Sequence, residues 1–166
     1  MKLARVLAAA SLMLMPLSLW ADQAAVHIQP PDLHSPRPLE EQTATSVVRG
    51  YLQSWKNFKS AFEQNRADLL NADFVGTALD QLKSTIGEQA AAGITTRYVD
   101  QSHDIQIVFY SPDGLSVQLV DKVVYKEQVI KGGKVIASQP IHARFVAVLT
   151  PAAARWSVRI FQATPE

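Results

Sequence analysis

Apolar residues recur at helical spacing in the first half of the chain. Between Glu40 and about Phe62 they follow steps of three and four, the spacing of one face of an α-helix. This face consists of Val47, Val48, Tyr51, Leu52, Trp55, Phe58 and Phe62. A further helical turn is expected at 66–70, and another helix at 77–92 with Gly93 as its left-handed cap. The helices present an aromatic face that a large element must cover.

After Gly93 the apolar period changes from about 3.6 to 2, which is typical of strands. In the first strand Ile105, Ile107 and Phe109 alternate with Gln106, Val108 and Tyr110. Turn residues at 111–114 and 131–134 separate this strand from a second at 115–130 and a third that starts at Val135. The third strand is expected to be interrupted near Pro140, which suggests an edge position or a bend, and to continue to Leu149, and a last strand covers 155–163. The pattern predicts an α+β domain whose helices pack on a curved four-stranded antiparallel sheet.

The amino terminus has the pattern of a signal peptide. Lys2 and Arg5 precede an uncharged apolar run, and Ala21 offers a small residue for cleavage before Asp22. Residues 1–21 therefore predict export to the periplasm or the medium, with no stable membrane span unless the segment stays uncleaved. Leu19 leaves an uncleaved anchor as the alternative, because cleavage prefers a smaller residue there, whereas Pro16 argues against a spanning helix.

Residues 22–38 are rich in proline and have little apolar periodicity. Such a segment is expected to be an extended tether of polyproline type, with His27 and His34 solvated in it. The folded domain is predicted to occupy residues 39–166.

Composition excludes several classes of function. The chain has 166 residues, 48% hydrophobic and 19% charged, so one globular core is expected. Two of the 16 Lys and Arg residues lie in the export segment, which leaves 14 basic against 15 acidic residues, and nucleic acid is not expected as a partner. The absence of cysteine excludes thiolate zinc sites, iron–sulfur clusters and thiol nucleophiles. No cofactor or metal is expected.

The order of helices and strands resembles the nuclear-transport-factor-2-like superfamily, which includes the SnoaL-like proteins. Residues 47–56 and the run Arg155-Trp156-Ser157-Val158 are most similar to the inter-membrane-space domain of plastid-division proteins and its bacterial relatives. The resemblance covers about 39–163. It implies a cone in which helices close over a curved sheet and leave a pocket, and relatives of this type are implied to be non-enzymatic interaction modules.

Asp121 is the candidate for chemistry. In the second strand it falls in register with Val117, Leu119, Val123 and Tyr125, so it is expected to face inward. An inward carboxylate is a candidate general base, with Tyr125 as a hydrogen-bond donor and His103 as an assisting group, the arrangement of ketosteroid-isomerase-like chemistry. The alternatives are a bulge near Val120 that turns Asp121 to solvent beside Lys122, or a structural ion pair.

The opposite face of the sheet is the candidate interface. Arg144 and Arg159 are assigned to this outer face together with Tyr110 and Phe161, and arginine and aromatic side chains are enriched at protein interfaces. The alternative is a solvated face on which arginine stems cover apolar neighbours.

Three functions remain open. The first is an exported non-enzymatic binding or assembly module of the cell envelope, which uses the outer face or the cone pocket for a protein partner or for self-association as a homodimer. The second is a small enzyme of SnoaL or ketosteroid-isomerase type, and the third is a carrier of a small apolar ligand.

Overall fold

A computed structural model describes residues 24–33 and 37–165, so the predicted signal peptide lies outside the described residues. The elements in chain order are β1 Ala25–Ile28, α1 Glu41–Gln64, a 3₁₀ turn Ala67–Leu70, α2 Gly76–Ala91, β2 Ile94–Tyr110, β3 Val117–Lys131, β4 Lys134–Ala152 and β5 Arg155–Pro165. In the described part of the chain, no helix combines the length and the apolar character that crossing a membrane requires.

The first and last residues of both helices lie within two positions of the predicted ones. The predicted apolar face of α1 is the buried one, and the helix ends where Asn65 takes a left-handed conformation, with φ 53°. After α2, Gly93 has φ +67°, the conformation that the predicted cap requires. The change of period at Gly93 is therefore a real change from helix to strand.

The sheet contains one strand more than predicted. Strands β2 to β5 form the expected antiparallel meander, but β1 adds a fifth strand, parallel to β2, at its edge. This strand lies in the segment 22–38, so part of that segment is sheet and not a free tether. Its four residues occupy the backbone edge of β2 from Ser102 to Ile105, and the side chains of His27 and Gln29 bind Asp104. The pattern of the sequence does not predict β1, because the strand has only four residues and prolines follow it closely.

The described sheet has four bulges, one of them at Ile136 near the β3–β4 hairpin, and the other three bear on which side chains face inward. Val108 is an extra residue in β2, so Tyr110 pairs with the buried Val117 and enters the core, while Phe109 turns outward. Arg159 is an extra residue in β5 and has the same effect on Phe161. The third bulge, at Gln101, lies beside the candidate site. Because a bulge shifts the alternation by one residue, the faces predicted for Phe109, Tyr110 and Phe161 are wrong, whereas Ile105 and Ile107 face inward as predicted.

Strand β4 is continuous through Pro140, contrary to the predicted break. Pro140 pairs with Lys126 of β3, while β5 reaches only as far as Ala143 along the other side of β4. The strand therefore has a free edge at Pro140, the position at which a missing backbone N–H is tolerated.

Helix α1 packs closely on β5 at a glycine. A Cβ added at Gly50 would lie 3.1 Å from the carbonyl oxygen of Trp156 and 3.2 Å from its Cβ, whereas a Cβ at Gly87 in α2 meets nothing within 4 Å. The approach of α1 to the sheet therefore depends on Gly50.

Replacing these two glycines by alanine should have opposite effects. Gly87→Ala should raise the free energy of unfolding by about 0.5–1 kcal/mol, because alanine is the better helix former. Gly50→Ala should lower it, because the added methyl group meets backbone atoms that have little room to move. Urea unfolding measures both, and equal stabilisation by the two changes would contradict this packing.

Candidate functional site

Asp121 faces the core, as its strand register predicts. Its side chain is 0% exposed, and the pairing of β3 with both neighbours is regular around it. The alternative bulge near Val120 is therefore wrong. A carboxylate at this depth requires hydrogen-bond donors around it.

Three donors surround the Asp121 carboxylate. The Tyr51 hydroxyl donates to Oδ2 at 2.9 Å, His103 donates from Nδ1 to the same oxygen at 2.7 Å, and the backbone N–H of Asp104 donates to Oδ1 at 3.1 Å. Burial first, and then the charge of Asp121, raise the pKa of Tyr51 well above its ordinary value, so its hydroxyl remains a donor. The carboxylate thereby joins α1 to β2 and β3.

Tyr125 is not a partner of Asp121, contrary to the sequence prediction. Four residues along a strand span about 13 Å, so the two side chains share a face without meeting. The Tyr125 ring instead packs against Trp55 and Tyr98, at centroid distances of 6.2 and 5.5 Å. Burial and the charge of Glu127 raise the pKa of Tyr125 to about 12.

The bulge at Gln101 brings a second carboxylate to His103. Asp100 and His103 are three residues apart and would face opposite sides of a regular strand, but the extra residue turns both inward. His103 Nε2 lies 3.8 Å from Asp100 Oδ2, and Lys59 of α1 donates to the same oxygen. Sequence reasoning missed Asp100, Lys59 and Tyr51, because no periodic signal marks a bulge or a partner on another element.

His103 is held between the two carboxylates as a cation. Burial alone would lower the pKa of its imidazole, but the hydrogen bonds and charges of Asp100 and Asp121 outweigh burial and raise the pKa to about 9. Burial likewise acts to raise the pKa of Asp100, and His103, Lys59 and Trp55 together bring it below its ordinary value. The ion pairs of the cluster therefore run from Asp121 through His103 and Asp100 to Lys59.

Aromatic rings fill the concave side of the sheet. Trp55 lies at their centre, and its ring contacts those of Phe58, His103, Tyr125, Phe145 and Phe161. The Trp55 indole N–H is close enough to Asp100 to lower the pKa of that carboxyl, but it meets no acceptor with hydrogen-bond geometry. Asp100 Oδ1 also lacks a partner among the described residues.

The structure places two of the four residues assigned to the outer face at the surface and the other two on the inner side of the sheet. Arg144 is exposed there, as predicted. Tyr110 and Phe161 lie among the helices and the inner side of the sheet because of the bulges described above. Arg159 is exposed at the β5 bulge, next to Gly76 at the start of α2. The shared face predicted for these four residues is wrong, although Arg144 and Arg159 remain accessible.

An open groove runs along α1, between this helix and the edge formed by β1 and β2. It contains two cavities, of about 570 and 790 Å³, and Leu52 lines both. The residues of α1 that line them are three and four positions apart, so they lie on one side of the helix. We call it the α1 groove. The smaller cavity is lined mainly by apolar side chains and is the apolar half. The larger cavity is the basic half; it contains the lysines 56 and 59 and reaches Trp55, Asp100 and His103.

The charge of His103 makes stability depend on pH. Its pKa is about 9 in the folded protein and about 6.5 when unfolded, so its stabilising contribution is complete below about pH 6.5 and disappears as pH rises through 9. At about 1.4 kcal/mol per pKa unit, the loss is about 3 kcal/mol at most. Urea unfolding from pH 6 to 10 should show this loss in the wild type and in His142→Gln, which alters an exposed histidine of β4. His103→Gln should remove it, and an unchanged pH profile in that variant would contradict the assignment.

Comparison with known proteins identifies the fold. No protein-family model matches the chain, and a search of curated proteins finds no significant match. Among solved structures, the chain is similar to the intermembrane space region of the chloroplast protein ARC6, with TM-score 0.64 and 13% identity over 78% of this chain and 100% of that one. It is also similar to a scytalone dehydratase-like protein of Novosphingobium aromaticivorans, with TM-score 0.56 and 14% identity over 76% and 89% of the two chains. Aln2 from a Streptomyces species follows, with TM-score 0.51 and 12% identity over 78% and 94%. The chain therefore has the nuclear-transport-factor-2-like fold of SnoaL-like proteins, as its sequence resemblance predicts.

Proposed function

We propose that this protein is an exported, non-enzymatic binding module of the cell envelope. The observation that carries the proposal is the sealed state of Asp121, the carboxylate on which isomerase-type chemistry would depend. It is fully buried, and its oxygens accept three hydrogen bonds, from Tyr51, His103 and the backbone of Asp104. A general base must lie within hydrogen-bond reach of the proton that it removes.

The likeness to the ARC6 region supports a module outside the cytoplasm. That region belongs to the intermembrane space of the chloroplast, and this chain covers its full length. Likeness of fold does not transfer a partner or a role in division. The signal-peptide pattern of residues 1–21 is the second support for export.

The outer face of the sheet offers the docking surface. Its centre is apolar, because Val120 of β3 pairs with Val146 of β4 and Val148 of β4 pairs with Ile160 of β5. Ile160 is 38% exposed, Val146 and Val148 are half-buried, and Val120 is buried. The exposed Lys122 and Arg144 are neighbours on the same face. An apolar centre with a charged rim is the usual composition of a protein interface. We call this set the outer patch and assign it to self-association.

A charge in the outer patch should separate the protomers. Val146→Glu places a carboxylate at the centre of the patch and should raise the dimer dissociation constant at least about tenfold. Sedimentation velocity over a range of concentrations, on protein exported from the full chain, measures this constant. The intact mass of the same sample should correspond to a chain that begins at Asp22.

Val135→Glu is the control, because Val135 is 48% exposed at the β3–β4 hairpin and lies outside the patch. It should associate as the wild type does. A wild type that stays monomeric at every concentration, or equal weakening by both variants, would rule out self-association through the outer patch. A mass that includes residues 1–21 would show that the amino-terminal segment is retained.

A small acid–base enzyme is the second candidate function. The observation in its favour is that His103 lies at the wall of the basic half of the α1 groove, between two carboxylates. Its pKa of about 9 argues against it, because a general base works best when its pKa is near the working pH. The binding module is therefore the better-supported function.

A further inference from the structure

Helix α1 leaves one side uncovered along nearly its whole length. The residues that line the α1 groove run from Glu41 to Glu63 at helical spacing, so a single stripe of the helix borders both cavities. The opposite wall is β1, whose alternate residues Val26 and Ile28 face the groove and are 45% and 56% exposed. Large apolar side chains exposed beside a cavity indicate a surface that a ligand covers.

The apolar half has the size and lining of a small-molecule site. Its volume of about 570 Å³ lies within the usual range of ligand cavities. Its apolar lining consists of Ile28, Pro31, Ala44, Val48, Leu52 and Ile107. The charged residues at this half, Glu41 and Arg49, are exposed and of opposite sign. This half therefore suits a hydrocarbon chain.

The basic half has one positive charge in excess. When His103 is protonated, the lining of this half carries four cations and two carboxylates, and Asp121 behind His103 adds a third carboxylate. The cations are Lys56, Lys59, Arg97 and His103, and the carboxylates are Glu63, Asp100 and Asp121. Most of these charges are already paired, Arg97 with Glu63 at 2.6 Å and Lys59 with Asp100. Lys56 is exposed and has no partner among the described residues. The unpaired cation therefore matches a single anionic group.

The buried indole N–H of Trp55 is a second sign of a missing polar partner. Trp55 is 3% exposed and lines the basic half, and its N–H lies near Asp100 without hydrogen-bond geometry to an acceptor among the described residues. A buried donor without a well-aligned partner is unfavourable, so an oxygen atom supplied in this half would be stabilising.

The distance between the two halves of the groove fits the length of a single ligand molecule. From Ala44 to Lys56 the helix rises about 18 Å, close to the roughly 15 Å of one leaflet of bilayer hydrocarbon. A single acyl chain laid along α1 would therefore place its head group near Lys56.

We propose that the α1 groove binds a long-chain fatty acid, with the hydrocarbon chain in the apolar half and the carboxylate at Lys56. The groove is separate from the outer patch, so this assignment does not depend on self-association. A polypeptide segment is the competing occupant, and the experiment below distinguishes it.

The test is direct binding of palmitate to the exported protein, followed by displacement of the fluorescent fatty acid cis-parinaric acid. Hexadecanol, which has the same chain without the charge, and cetyltrimethylammonium, which has the opposite charge, serve as comparison ligands. Palmitate should bind at least about fivefold more tightly than hexadecanol, and cetyltrimethylammonium most weakly. Equal affinity for the three, or no displacement by palmitate, would overturn the proposal.

Two pairs of variants locate the site. Ile28→Glu should weaken palmitate binding about tenfold, whereas Ile136→Glu, at a residue 59% exposed on β4, should not. Lys56→Glu should weaken palmitate binding but leave hexadecanol unchanged, whereas Lys83→Glu on α2 should change neither. All four positions are exposed, so the fold should be retained. Wild-type palmitate affinity in Ile28→Glu would overturn the assignment. If Ile28→Glu lost self-association but still bound palmitate, the assignment would also be wrong, and the occupant of the groove would be a polypeptide.

Discussion

A single buried carboxylate organises this fold. Asp121 lies in the middle of β3 where an aliphatic residue would fit the register, and burying its charge is unfavourable unless donors surround it. The donors come from α1, through Tyr51, and from β2, through His103 and the backbone of Asp104. The helix is therefore positioned on the sheet by a directional polar contact as well as by its aromatic face. Apolar packing alone tolerates sliding, whereas a buried hydrogen bond favours one register.

The same contact explains the layout of the surface. The Gln101 bulge turns Asp100 and His103 to the side of Asp121, and the alternating charges continue to Lys59 on α1. This chain of polar groups forms the wall of the basic half of the α1 groove. Toward the amino terminus of α1, the helix and β1 remain apart and leave the apolar half open. The concave side of the sheet is thus occupied by aromatic rings and paired charges, whereas the α1 groove is open.

The sequence was sufficient wherever a regular period was maintained. The limits of α1 and α2, the change at Gly93 and the inward position of Asp121 all follow from periodicity. Periodicity carries no information about an inserted residue, so Val108 and Arg159 reversed the faces predicted for Tyr110 and Phe161. Nor does it identify partners on other elements, and Tyr51, which the pattern marks only as apolar, is a donor to Asp121. Strand β1 depends on a free edge of β2, which no local signal reveals.

The central claim, that Tyr51 and Asp121 bind each other in the core, is best tested by a double-mutant cycle of Tyr51→Phe and Asp121→Asn. Urea unfolding of the wild type, the two single variants and the double variant gives the coupling free energy. A buried hydrogen bond to a charged group predicts a coupling of about 1.5–3 kcal/mol, with the double variant less destabilised than the sum of the single variants. Additive effects, with a coupling below about 0.3 kcal/mol, would contradict the account.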